Sequence, residues 1–267
     1  MNYHALSVVE LGIASLLLLA NAGLSWGFRL GLERTLLISA VRMVVQLGAV
    51  GFILKFVFEQ GSGALTALFA TVMICVASWE TFARQRYRIG GSWQHWGLGG
   101  AALLFCGLTG TLYAVTLIIA SEPWWAPRTL LPILGMVLGN AMTGISLVLD
   151  TLTTATKRER TAIEARLALG ATRLEAMHDV LSGALRTAMM PIINAMAAAG
   201  VVSLPGMMTG QILAGVDPVE AAKYQIMILC VLSGTTALAI LGAGLGGVWM
   251  LTDRRHRLRA ERLVEAD

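Results

Sequence analysis

The chain has 267 residues, of which 56% are hydrophobic and 13% charged, against about 25% charged in an ordinary globular domain. A mean hydropathy of +0.71 over this length excludes a soluble globule. Apolar runs of about 20 residues without alternation select membrane-spanning helices over a β-barrel. The pI near 9.3 does not point to nucleic acid, because the basic residues sit in short segments between apolar runs, where bilayer orientation accounts for them.

Leu6–Trp26 is the first apolar run. Ala20-Asn-Ala22 resembles a signal-peptidase site, but residues 1–5 hold no Lys or Arg, so the run reads as a retained span. Thr35–Phe58, Ala64–Phe82, Trp96–Ala120 and Thr129–Leu152 follow, then about Thr187–Ala214 and Lys223–Leu251. These make about seven spans, each long enough for a hydrocarbon core of about 30 Å. The expected fold is all-α and polytopic, with residues 1–267 forming one transmembrane domain and no internal repeat. Gly135-x-x-x-Gly139 and Gly242-x-x-x-Gly246 either let helix backbones approach closely or reflect the ordinary abundance of Gly in membrane helices.

Arginines orient the spans. Arg29 and Arg34, then Arg84, Arg86 and Arg88, then the segment Lys157–Arg186, then Arg254, Arg255, Arg257, Arg259 and Arg262 fall on alternate sides of successive runs and mark a cytoplasmic face. Lys55, Arg128 and Lys223 lie on the other face beside Glu59, Glu122, Asp217 and Glu220, with Trp124 and Trp125 at its interface. The N-terminus is then outside and the C-terminus inside.

The longest charged stretch, about residues 154–186, lies between spans five and six. Thr156 with Glu159 and Thr172 with Glu175 both have capping-box spacing, and Gly170 suits the left-handed position that ends a helix. Ile163, Leu167, Leu174, Met177 and Leu181 recur at helical spacing. The expectation is a bent cytoplasmic helix pair cornered at Gly170. The next span, about 187–214, holds Pro205-Gly206 and is expected to be a broken helix.

No Gly-x-x-x-x-Gly-Lys-[Ser/Thr], His-Glu-x-x-His or Gly-x-Ser-x-Gly occurs, so neither a P-loop ATPase nor a common hydrolase motif is present. Cys75, Cys106 and Cys230 are widely spaced in apolar runs, and His4, His95, His178 and His256 lie in loops or ends, which implies no disulfide framework or zinc site. No cofactor is expected. Arg42 and Gln46 lie one turn apart in the second span; Arg42 is either functional or snorkels to the interface. Glu80 and Arg84 have the spacing of a local ion pair. Asn140, Asn194, Ser203, Thr209 and Gln211 either line a path or bond between helices. The 13 Met residues, Met207-Met208 and Met189-Met190 among them, suit flexible packing more than soft-metal ligation.

Glu164-Ala-Arg-Leu-Ala-Leu-Gly170 resembles the coupling motif of ABC-transporter permeases, with Arg166 where the motif has a second Ala. Ser203-Leu-Pro-Gly-Met-Met-Thr-Gly-Gln-Ile-Leu-Ala-Gly215-Val-Asp-Pro218, together with Arg42-x-x-x-Gln46 and Gly139-Asn-Ala-Met142, resembles FetB-type iron-export permeases, a family that also resembles a plant aluminium-tolerance permease. The resemblance implies a bacterial inner-membrane subunit exporting iron or another metal ion, driven by a separate cytoplasmic ATPase. It implies that Glu164, Ala165, Leu167, Gly170 and Thr172 meet that ATPase. Arg42, Gln46, Asn140, Ser203, Pro205, Gly206, Met207, Met208, Gln211 and Asp217 are the candidates for a path or gate. With about seven spans the chain would be half a translocator and act as a homodimer. An ion-coupled secondary transporter, or a permease of this family with a non-iron cargo, are the alternatives; no inverted repeat or intramembrane acid of the secondary class is evident.

Overall fold

The computed structural model describes residues 7–83, 85, 87–89, 92–253 and 255–265. His4, Arg84, Arg86 and Arg254 lie outside the described residues, as do the side chains of Arg88, His95 and Trp96. Among the described residues, seven helices are long and apolar enough to cross a membrane. Two compact units divide the chain, Met1–Gly61 and Ser62–Asp267.

The first unit is a helical hairpin. Helix α1 (Val8–Gly27) begins in a capping box formed by Ser7 and Glu10, and α2 (Glu33–Gln60) pairs with it. Ser25 shapes the turn: its hydroxyl accepts from Leu32 N at 3.1 Å and donates to Glu33 Oε2 at 3.2 Å. Val57 of α2 is buried, whereas Val44, Leu47 and Phe52 are exposed, a surface suited to lipid acyl chains or another apolar helix.

The second unit holds α3 (Gly63–Ala83), α4 (Ser92–Leu112) continued by a π-helical turn (Tyr113–Ile118), α5 (Pro127–Arg158), α6 (Arg160–Ala168), α7 (Arg173–Ala198), α8 (Gly206–Leu213) and α9 (Pro218–Leu251). Helix α5 is central. Leu134, Val137, Ala141, Ile145, Val148, Leu149 and Leu152 are almost wholly buried and recur every three or four residues, so one face meets α7 and α9 along its length. Small residues permit the approach: a Cβ at Gly144 would lie 2.7 Å from Ile240, and one at Gly247 would lie 2.7 Å from Leu152. Of the glycine spacings noted above, Gly246 lies close against Leu98 and Gly135 against Met73, whereas Gly139 and Gly242 have open space where a Cβ would stand. Two short strands, β1 (Tyr87–Ile89) and β2 (Leu263–Glu265), pair antiparallel and tie the α3–α4 connection to the C-terminal segment.

Several boundaries depart from the sequence reading. Helix α5 runs through Arg158, and Thr156 is a buried interior residue whose hydroxyl donates to Leu152 O at 2.7 Å. The Thr156–Glu159 capping box therefore does not form, because the buried face of α5 carries the helix past the local start signal. Glu159 pairs instead with Arg158 at 2.7 Å. The second helix of the expected pair and the sixth span are one continuous helix, α7, which ends at Ala198.

Candidate functional site

Two parts of the second unit stand out, and α7 joins them. At its 26 residues and a rise of 1.5 Å each, α7 is about 39 Å long, so its two ends serve different faces of the bundle.

The first part is the corner between α6 and α7. Ile163, 2% exposed, anchors α6, and Leu167 is half-buried. Gly170 has φ +94°, its N–H donates to Leu167 O, and Ala171 N–H donates to Arg166 O, both at 3.1 Å. That pair of bonds is a Schellman closure, which requires a left-handed residue where Gly170 stands. Thr172 then caps α7: its Oγ1 accepts from Glu175 N at 3.4 Å, and Glu175 Oε2 accepts from Thr172 N at 2.8 Å. Here the sequence reading is matched residue for residue. Leu169 stands at the apex, 88% exposed, with Ala165 and Gly170 exposed beside it.

Charged groups brace the corner. Arg160 Nε donates to Glu164 Oε1 at 2.8 Å along α6. Arg166 crosses to α7, its Nη2 lying 2.7 Å from Asp179 Oδ2. The residue that departs from the permease motif thus makes an ion pair across the two helices. Lys157 Nζ lies 3.3 Å from the Tyr87 hydroxyl and 4.4 Å from its ring centroid. His256 Nδ1 accepts from the backbone N–H of Arg173 at 3.0 Å, so the C-terminal segment also reaches the first turn of α7.

The second part lies at the far end of α7. The chain leaves the helix at Ala199, and both Val202 N and Ser203 N donate to Ala198 O at 3.0 Å. Gly200, at φ +86°, makes that tight reversal possible, and Val201 and Val202 are 92% and 83% exposed. Pro205 is the N-cap of α8 and not a kink within a helix. In the span expected to break at Pro205-Gly206, α7 ends at Ala198 and α8 begins at Gly206, so the chain is already non-helical where Pro205 stands. Ser203 Oγ reaches Ala198 O at 3.5 Å, and Gly206 opens α8. Pro191 is the proline inside α7, and it removes the donor that Thr187 O would otherwise meet.

Helix α8 ends in a second Schellman closure: Gly215, at φ +93°, donates to Ile212 O at 2.9 Å and Val216 N donates to Gln211 O at 3.0 Å. Asp217 is the N-cap of α9, accepting from Val219 N at 2.9 Å and Glu220 N at 3.3 Å. One carboxylate oxygen, Oδ1, is thus engaged in capping.

Between α8 and its neighbours lies an apolar cluster of Ala114, Val115, Ile133, Val137, Ile192, Ile228, Val231 and Leu232. Met136, Met189, Met207 and Met227, one each from α5, α7, α8 and α9, pack against it. Met208 is half-buried and is not one of them. Asn140, half-buried, spends its amide on Met136 O at 2.9 Å. Gln211 has a buried Oε1 without a partner, and so has Gln225. The sequence reading missed Met136, Met227, Asp179, Pro191 and Gln225 as site residues; the polar amide of Gln225 inside an apolar run was the available signal. Arg42 and Gln46 belong to the first unit, one turn apart on α2 and both exposed. Among the described residues, no group of three or more His, Cys, Asp or Glu is placed to hold a metal ion.

Residues 8–249 match the family described as Uncharacterised protein family (UPF0014). The chain belongs to that family of membrane proteins. It is 32% identical to the probable iron export permease protein FetB of Escherichia coli (strain K12) over 97% of each chain. It is 30% identical to the UPF0014 membrane protein YjkA of Bacillus subtilis (strain 168), over 89% of this chain and 90% of that one. It is also 30% identical to Protein ALUMINUM SENSITIVE 3 of Arabidopsis thaliana, over 87% of this chain and 82% of that one. No solved structure matches the chain. With seven helices long and apolar enough to cross a membrane among the described residues, it is an integral membrane protein.

Proposed function

We propose that this chain is the membrane-spanning permease subunit of an ABC-type transporter that exports iron or another metal ion. A separate cytoplasmic ATPase hydrolyses the ATP; this chain has no catalytic role and needs no cofactor. The observation that carries the reading is the α6–Gly170–α7 corner, in which Leu169 is 88% exposed at the apex of a rigidly closed and capped turn. A protruding apolar tip flanked by Glu164, Ala165 and Thr172 is the shape that enters a cleft on a soluble partner. Rigidity matters, because a corner that yields transmits no displacement to α7. The name of the Escherichia coli relative supports the cargo class.

In this reading the corner is cytoplasmic, with the N-terminus outside and the C-terminus inside a bacterial inner membrane, as the arginine distribution favours. Two copies of the chain and two ATPase subunits complete the transporter. Co-expression with an ATPase encoded beside it, followed by affinity purification and ATP-driven uptake of radioactive iron into inside-out vesicles, tests the reading. Co-purification with ATP-dependent flux supports it. Flux that follows an ion gradient without ATP, from a chain that captures no ATPase, assigns it to secondary transport.

A further inference from the structure

Helix α5 turns its polar side outward. Within the second unit it packs against α3, α4, α9 and α7, and these four also pack in succession, α3 on α4, α4 on α9 and α9 on α7. Among the described residues no such packing closes the ring between α7 and α3. Glycine contacts fix the direction of the gap, since Gly135 lies toward Met73 of α3 and Gly144 toward Ile240 of α9. Gly139, Asn140, Thr143, Leu147, Asp150 and Thr154 stand at the gap, each half-buried or exposed. They follow one another at helical spacing and so share one face.

This is the reverse of the pattern that lipid selects. Helix α9 exposes Ile226, Leu238, Leu241 and Trp249, and α4 exposes Leu104, Phe105 and Leu108, which hydrocarbon can cover. Asn140 lies about 20 Å along α5 from Pro127 and about 27 Å from Arg158, near the middle of the helix. Its Nδ2 donates to Met136 O, and Thr143 Oγ1 donates to Gly139 O, both at 2.9 Å. Ser146, beside them on α5, has a buried Oγ without a partner. Polar groups at such depth are costly against lipid, so the face that bears them turns to protein or to water.

The chemistry of the face selects its occupant. Asn140, Thr143 and Ser146 each carry both donor and acceptor capacity, so the same face on a second copy is complementary to it. Gly139 has nothing within 4 Å of where a Cβ would stand, and Gly139-x-x-x-Thr143 is the small-residue spacing that lets two membrane helices approach closely. A twofold axis along the membrane normal brings like residues together at the same depth. Small residues then meet at Gly139. Asp150 meets Asp150 nearer the α6 end, where like charges require water between them.

We propose that this face of α5 is the seam between two copies of the chain, closely packed at Gly139 and Thr143 and open to water from Asp150 toward the α6 end. The inference rests on the two-copy reading above and adds the face through which the copies meet.

The test uses the full chain in membranes, with Cys75, Cys106 and Cys230 replaced by alanine. Thr143→Cys is compared with Leu238→Cys on the exposed apolar side of α9. A short thiol-to-thiol crosslinker is expected to give at least tenfold more covalent dimer from Thr143→Cys. Asp150→Cys should react at least tenfold faster than Leu238→Cys with a charged, water-soluble thiosulfonate. Gly139→Leu meets open space within one chain, so it should keep the helicity of the protein while cutting the Thr143→Cys dimer at least fivefold. Equal crosslinking from Thr143→Cys and Leu238→Cys means that lipid or another part of the chain covers the face, and overturns the seam. Full crosslinking in Gly139→Leu overturns the close approach, and equal labelling of Asp150→Cys and Leu238→Cys overturns the hydrated half. Should Thr143→Cys fail to insert, Ser146→Cys takes its place under the same criterion. A chain that is dimeric by mass yet gives no crosslinked product loses this face and keeps the two-copy reading, whereas a monomer by mass overturns both. Crosslinked product from a chain that captures no ATPase sinks the ABC reading and leaves the seam standing.

Discussion

The guanidinium of Arg166 on α6 meets the carboxylate of Asp179 on α7 at 2.7 Å, thirteen residues on and across the Gly170 corner. Both side chains are about half exposed, at 46% and 62%. Such a pair contributes about 0.2–1 kcal/mol, too little to hold up the fold but enough to bias the angle between two short-linked helices. Arg166→Ala and Asp179→Ala are each expected to leave insertion and global unfolding almost unchanged while raising hydrogen exchange in α6. ATP-driven flux should fall several-fold in each. The exchanged pair, Arg166→Asp with Asp179→Arg, should recover a large part of that flux. If the single variants transport fully, the brace has no part in coupling.

Gly170 is the more severe test. Its φ of +94° disfavours any β-branched residue by about 1–2 kcal/mol, and the Schellman bonds to Arg166 O and Leu167 O depend on it. Gly170→Val is expected to insert and to retain the seven spans while losing ATP-driven transport. Circular dichroism checks the folding and vesicle uptake checks the flux. Full transport with normal ATPase capture would remove the corner from the coupling route.

The same device closes α6 and α8, a left-handed glycine, one residue, then an N-cap: Gly170-Ala-Thr172 and Gly215-Val-Asp217. The Gly170 corner was legible in the sequence because the chemistry is local, a cap needing only its own turn. Gly215-Val-Asp217 carries the same local signal, and the sequence reading missed it as a corner. Thr156 carried an equally good local signal, and it failed because the buried stripe of α5 extends through it. Burial of a whole helix face outweighs one cap worth about 1 kcal/mol. The packing glycines Gly144 and Gly247 were not legible, since their role depends on which side of α5 meets α9. The amide of Gln225 within an apolar run was a legible signal, but that its Oε1 is buried without a partner is visible only in the fold.

The C-terminal segment gives a pH-dependent expectation. Asp253 accepts from Arg255 N and Arg257 N at 2.9 Å and from Arg257 Nε at 2.8 Å. The Arg257 backbone N–H, first among these, holds the Asp253 carboxyl down at about 2. A depressed folded value stabilises this turn above the unfolded aspartate value of about 3.9, and that stabilisation is lost as pH falls from there toward about 2. The neighbouring His256 touches Arg173 N, so loosening of the turn should register in α7. Pepsin cleavage after residue 251 should rise between about pH 4 and pH 2, and Asp253→Asn should be cleaved readily across that range. Cleavage of the wild type that stays flat over the interval would show that the carboxylate does not secure the turn.

Two prolines frame the last expectation, because the structure moves the helix defect from one to the other. Pro205 sits at the N-cap of α8 with φ −62°, a position where no helical N–H is called for. Pro205→Ala therefore changes no ladder bond, and its flux is expected to stay within about twofold of wild type. Pro191 lies inside α7, within a turn of Ile192 and two residues from Met189, both at the methionine cluster. Its missing N–H leaves Thr187 O without the ladder donor, and the ring crowds the preceding turn. The defect falls on the helix that links the Gly170 corner to the glutamine-bearing end. A missing ladder bond there lets the two ends of α7 move unequally, as the transport reading requires. Pro191→Ala restores a hydrogen bond worth on the order of 1 kcal/mol and stiffens α7. The variant is expected to unfold at a higher temperature, to capture the ATPase normally and to transport several-fold more slowly. Vesicle flux and thermal unfolding, measured side by side for both proline variants, provide the check. Slow flux in Pro205→Ala with normal flux in Pro191→Ala would return the moving part to the segment before α8.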